Sequence, residues 1–218
     1  MKRATGVNAA RGMRVVMAAA GVMALTACIS LGIGNEPVAQ QQLRLVDAGA
    51  DTVSPRAEPL LAALLVQAQP GDALADTLAI AYAPGPERFA FYQHAFWTER
   101  PVRRLPRLLQ ERLQARGVAA AVGQFGDPLA SDWLLAVRLE NLHHDITTAP
   151  GQAQLVLVAE LFDRRGRQRV AQQRWTVSAP VASPDAPAAA AAMSVAVTRA
   201  FDQLVPWLEG ALTAHAAR

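Results

Sequence analysis

Cysteine occurs once among the 218 residues, at Cys28, and lysine once, at Lys2. A chain with a single thiol closes no internal disulfide, so an exported form must be held together by its core alone. Phosphate-cradling loops of the GxxxxGK[ST] or GxGxxG type are absent, which excludes a P-loop motor and a dinucleotide fold of that kind. No serine stands in a GxSxG context and no HExxH pair is present. Charged residues are only 18% of the chain, whereas hydrophobic residues are 52%, enough for one domain with a sizeable core.

The charges that are present are unevenly placed. The net charge of +3 comes from the front, where Lys2, Arg3, Arg11 and Arg14 precede residue 28 with no acid among them. From Cys28 onward 17 basic residues face 18 acidic ones, so the high pI is no sign of a nucleic-acid partner. Residues 1–14 form a basic n-region and residues 15–25 an apolar h-region, followed by small residues: the layout of a secretory signal. The uncharged run 15–34 is also long enough to span a bilayer, but it is rich in Ala and Gly and only moderately hydrophobic. Either reading exports the remainder of the chain.

Leu25-Thr26-Ala27-Cys28 resembles the bacterial lipobox. That resemblance implies a diacylglycerol on the Cys28 thiol, cleavage before it, and acylation (palmitate among the acyl groups) of the new amino terminus. Two or three acyl chains anchor stably where one is marginal. The next residue is Ile29, not the Asp that retains enterobacterial lipoproteins at the inner membrane. The expected location is therefore the outer membrane, facing the periplasm. The chain divides into a signal peptide (1–27), a lipidated tether (28–40), a folded domain (41–211) and a frayed tail (212–218).

Within the domain, residues 41–46 read as a first strand and 48–59 as a loop. Residues 60–69 form an apolar run closed by Pro70-Gly71, and 78–82 with 88–94 flank a Pro/Gly turn as a hairpin. Residues 101–116 carry Leu105, Leu108, Leu109 and Leu113 on one helical face, with Arg103, Arg104, Arg107, Glu111 and Arg112 mostly elsewhere and Gly117 as the stop. Pro106 is tolerable in that helix only within its first turn. A short strand at 119–125 follows. Then come three strands: 133–140 with alternating burial, apolar 155–162, and 169–178 after the charged turn 163–167. Their order suggests an antiparallel meander. Met193, Val197, Phe201, Leu204 and Leu208 mark the buried stripe of a C-terminal helix, which Pro206 should kink or restart. The whole is α+β, a single domain with a mixed, mostly antiparallel sheet carrying a central and a C-terminal helix on one face.

Chemistry-bearing candidates are few. His143 and His144 are strand neighbours that point to opposite faces, which does not suit a shared metal. With Asp145 they could serve acid/base work, yet no nucleophile accompanies them, and a polar cluster at a strand end explains them as well. Asp127, Asp132 and Asp145 read as solvated acids, and His215 as part of the fraying tail. No catalytic residue, metal or cofactor is expected. Arg103, Arg104 and Arg107 could meet lipid headgroups or an acidic partner, or form a solvated helix face. Phe89, Phe91, Tyr92, Phe96 and Trp97 cluster in the hairpin. Core packing is the default there, and an interface or lipid contact is the alternative.

The order of segments carries a family resemblance: a lipobox, LLVQAQPG, LAIAYAPGPERFAFYQHAFW, PVRRLPRLLQERLQARG, SDWLLAVRLENLHHD, a strand ending LFD, a basic turn, a strand ending Ala-Pro-Val, and a closing helix with Trp207. Over about residues 40–210 this resembles the ABC-type transport auxiliary lipoproteins, the PqiC/YmbA-like group. The first strand departs from the pattern, with Gln42-Leu43-Arg44-Leu45 in place of a tyrosine. The resemblance implies a non-enzymatic periplasmic accessory to a mammalian-cell-entry (MCE) domain protein and its ABC permease and ATPase. Such systems move lipids or other hydrophobic molecules between membranes, and the expected role is docking, with a homo-oligomer in keeping with ring-like MCE assemblies. A lipid-binding carrier in its own right is the alternative.

Overall fold

A computed structural model describes residues 39–217. The signal segment, the lipobox with Cys28, and the tether to residue 38 lie outside the described residues. In chain order the elements are β1 (Gln41–Leu43), β2 (Leu61–Ala68), β3 (Ala79–Gly85), β4 (Arg88–Trp97), α1 (Pro101–Arg116), β5 (Ala119–Gln124), β6 (Trp133–Asp145), β7 (Gln152–Asp163), β8 (Gln168–Pro180) and α2 (Ala186–Ala216), with a 3-10 turn at Ala73–Ala75.

The eight strands form one mixed sheet in the order β1-β4-β3-β6-β2-β5, and β7 joins β6 and carries β8 beyond it. The 13-residue β6 is the spine. Its first half pairs in parallel with β2, its last residues His144 and Asp145 pair in parallel with β3, and β7 lies antiparallel along it. The β6-β7-β8 meander expected from the sequence is antiparallel with long ladders, while β1-β4 and β2-β5 are parallel.

Both helices cover one face of the sheet, α1 over β2 and β5 and α2 over β7 and β8. On that face β7 contributes Leu155, Leu157 and Leu161, and β8 contributes Trp175, Val177 and Ala179. The five-residue stripe read for α2, Met193 through Leu208, is fully buried against them. Trp175 meets Trp207 edge-on with ring centres 5.3 Å apart. The opposite face carries a charged network in which Arg169 reaches Glu160 at 2.6 Å and Arg138 and Arg174 share Glu140. Val158, in register between Arg138 and Arg174 on the flanking strands, is buried on this face as well.

Several expectations are corrected. The first strand stops at Leu43, and beyond it the chain turns to α2: Val46 N–H bonds Ser194 Oγ and Ala48 N–H bonds Thr198 Oγ1. The hairpin strands run longer than read, to Gly85 and Trp97. Helix α1 has the expected bounds, with Pro101 at its start and Gly117 closing it at φ 71°, where Gly117 N–H bonds the Gln114 and Leu113 carbonyls. Pro106, however, lies in the second turn, not the first. The helix forgoes the bond to the Val102 carbonyl, and the buried Leu105, Leu108, Leu109 and Leu113 hold it through the gap. Arg112 is not on the solvated side: it is 3% exposed. Helix α2 passes through Pro206 unbroken and continues to Ala216, so residues 212–216 are not frayed. Leu212 is buried, and the His215 ring meets Trp133 edge-on at 5.2 Å.

Candidate functional site

Two concave surfaces stand out, and both are framed by polar groups that are already internally satisfied. The first is a groove of about 650 Å³ between the segment after β1 and the N-terminal half of α2. Leu43, Val46, Ala190, Ala191 and Val195 line it, with Arg44 on one wall and Arg199 on the other. Its walls are pinned from below. The Asp47 side chain is inaccessible to solvent and receives Arg112 through both carboxylate oxygens, at 2.9 and 2.6 Å. Arg112 also reaches Asp202 on α2 at 2.6 Å. A Cβ at Gly49 would overlap the Arg112 guanidinium, so only glycine lets that loop close over the ion pair. Burial works against the Arg112 charge, but its hydrogen bonds to Asp47 and Asp202 outweigh this and raise its pKa further.

The second concavity, about 540 Å³, lies beside the β3–β4 hairpin and is lined by Tyr82, Phe91, Tyr92, Ile146, Pro150 and Pro184. Beneath it His144 is 0% exposed. Its Nε2 lies 2.9 Å from the Pro150 carbonyl, which can only accept, so Nε2 carries the proton. Nδ1 therefore accepts from the Tyr92 hydroxyl at 2.7 Å. Burial lowers the His144 pKa and raises that of Tyr92, in keeping with a neutral pair. Gly151, at φ 101°, lies so close to the His144 ring and the Asp145 carbonyl that it has no room for a side chain.

The sequence candidates separate on this frame. His143, His144 and Asp145 do not converge. His143 Nδ1 pairs with Asn141 Oδ1, burial lowers its pKa, and Phe89 packs edge-on against its ring. Asp145 instead binds Thr147 through that residue's N–H and hydroxyl, which lowers the carboxyl pKa. Among the described residues no group of three or more His, Cys, Asp or Glu is placed to hold a metal ion.

In the aromatic cluster the default of core packing fails for Phe89 and Phe91, which are 41% and 42% exposed because the helices cover other strands. Tyr92 and Phe96 are half-buried, and Tyr92 packs on Tyr82 at 5.1 Å. Trp97, grouped with that patch by its position in the sequence, is 3% exposed and belongs to the core. On α1, Arg107 pairs with Glu99 at 2.9 Å, Arg104 with Glu111 and the Leu45 carbonyl, and Arg103 is exposed. The groove and the Asp47–Arg112–Asp202 linkage escape a sequence reading. Their faint signal is Ser194 and Thr198, one turn apart in the otherwise apolar, alanine-rich stretch 186–198.

The model of the ABC-type transport auxiliary lipoprotein component family matches residues 44–205, from the groove's first wall into α2. The chain belongs to this family. This auxiliary lipoprotein also shares its fold with XCC0632 from Xanthomonas campestris, at 24% identity and TM-score 0.71, over 82% of this chain and 100% of that one. A crystal structure of an uncharacterised protein matches at 11% identity and TM-score 0.62, over 78% of this chain and 99% of that one. No curated protein matches the sequence. The family is one of auxiliary transport components and not an enzyme class, and among the described residues of this lipoprotein no helix is long and apolar enough to cross a membrane.

Proposed function

We propose that the protein is a periplasm-facing lipoprotein held in the outer membrane by acyl chains on Cys28, where it docks an MCE-domain protein served by an ABC permease and ATPase. Family membership joined to the Leu25-Thr26-Ala27-Cys28 lipobox is the observation that carries this reading. The transported cargo is a lipid or another hydrophobic molecule. Exposed Phe89 and Phe91, with Arg103 and Arg107 on α1, are the contacts proposed for the partner. The experiment is cross-linking in cells followed by purification of the lipoprotein: an MCE-domain protein is expected in the eluate, and its consistent absence sinks the docking role. Oligomeric state, measured by light scattering on the detergent-released protein, reports whether docking involves a homo-oligomer.

A second reading, a carrier that binds lipid itself, is favoured by the apolar concavities beside α2 and the hairpin. Mass spectrometry of residues 28–218 with Cys28→Ser would detect co-purified lipid, and a spectrum free of lipid removes this reading.

A further inference from the structure

We infer that the groove between the segment after β1 and α2 is a binding site for one acyl chain of an anionic phospholipid, drawn from the membrane in which Cys28 is anchored. This deepens the carrier reading above and rests on it.

The chemistry of the lining selects the ligand class. Every hydroxyl lining the groove is engaged within the protein. Ser194 donates to the Ala190 carbonyl at 3.0 Å and accepts from Val46 N–H. Thr198 donates to Asp47 at 3.0 Å and accepts from Ala48 N–H. The facing wall is a helix whose backbone bonds are internal. On the α2 side an entering peptide strand would bring N–H and C=O groups that the wall does not pair, and burying them unpaired is costly. An acyl chain brings none. Val46 and Val195 remain 43% and 45% exposed, so apolar surface stands open on both walls.

Charge then selects the headgroup. Among the described residues the only charged ones lining the groove are Arg44 and Arg199, one on each wall, and no carboxylate lines it. Asp47, three residues after Arg44, has no solvent-accessible side chain and is taken up by Arg112, Thr198 and Gly49, and Asp202, three residues after Arg199, is paired with Arg112. A phosphate at the mouth would meet two guanidiniums suited to it, Arg199 keeping one N–H on the Ser178 carbonyl at 2.7 Å. The volume lies within the usual range for small-ligand sites. Reach is sufficient as well. From Cys28 to Leu43 the chain spans at most about 50 Å when fully extended, which sets the farthest the groove can stand from the anchored residue.

The test uses residues 28–218 with Cys28→Ser, incubated with dipalmitoyl phosphatidylglycerol vesicles, re-isolated by gel filtration and examined by native mass spectrometry. One retained phosphatidylglycerol per chain is expected, with retention about tenfold lower for phosphatidylcholine and for the double variant Arg44→Gln/Arg199→Gln. Ala191→Glu, at an exposed α2 position, abolishes retention, and Val195→Glu does the same should the first variant fold poorly. Phe91→Glu, in the hairpin concavity, leaves retention at the parent level. The inference is overturned if no phosphatidylglycerol is retained, if phosphatidylcholine is retained equally, or if both groove variants retain lipid as the parent does. It is overturned too if Phe91→Glu is the variant that loses it. Capture of the MCE-domain partner by the membrane-anchored chain is scored separately, so the docking role and the lipid site stand or fall independently.

Discussion

Arg112 shows how one side chain can tie three distant parts of a chain. Its guanidinium holds the loop at Asp47, sits on α1, and reaches Asp202 on α2. Replacing it with Met leaves the Asp47 carboxylate buried without a counter-charge, a loss in the range of about 3–5 kcal/mol. Denaturant unfolding of Arg112→Met should show a drop of that size, and the Asp47→Asn/Arg112→Met pair should recover part of it. The buried histidines act on a different variable. Because burial lowers the pKa values of His143 and His144, the unfolded chain takes up protons that the folded one refuses. Their contribution is intact above the ordinary histidine value of about 6.5 and is lost progressively as pH falls below it. Unfolding free energy measured between pH 7.5 and 5 should decline, and His144→Gln should give a shallower decline than the parent. An identical slope would remove His144 as a contributor.

At the scale of elements, periodicity made the α2 stripe and the β6-β7-β8 meander legible, since each is a long run of one period held by one face. The bounds of α1 were legible from Pro101 and Gly117, both local signals. What stayed hidden depends on contacts remote in sequence. The Arg112 position looks like any arginine on a helix until Asp47, 65 residues away, is brought under it. Phe89 and Phe91 carry core-like spacing, and only the placement of the helices over other strands leaves them outside. The end of α2 is hidden for the same reason: an alanine-rich tail has no signal of its own, yet Leu212 and His215 find partners in the core and on Trp133. Ending the chain at Ala211 should therefore lower stability by about 2 kcal/mol, mostly from the lost burial of Leu212. A denaturation midpoint unchanged by the truncation would mean that this turn contributes nothing.

For the whole molecule, the decisive division is between the domain and the residues that precede it. From Cys28 onward the charges nearly balance, and the domain needs no thiol for its fold. Among the described residues no helix is long and apolar enough to cross a bilayer, so under the proposed function the hold on the membrane comes from the acylated Cys28. Simply changing Cys28→Ser in the full chain is a poor test, because the uncharged run 15–34 is retained and is itself long enough to span a membrane. Residues 29–218 placed behind a cleavable secretory signal lack both the lipid site and residues 15–28 of the run. This form should leave the membrane fraction for the soluble periplasmic extract, with the same unfolding midpoint as the detergent-released native protein. Mass spectrometry of the native amino-terminal peptide should show acyl groups on Cys28. Continued sedimentation with membranes would instead mean that the domain's own surface, the groove and the exposed hairpin aromatics, supplies the attachment.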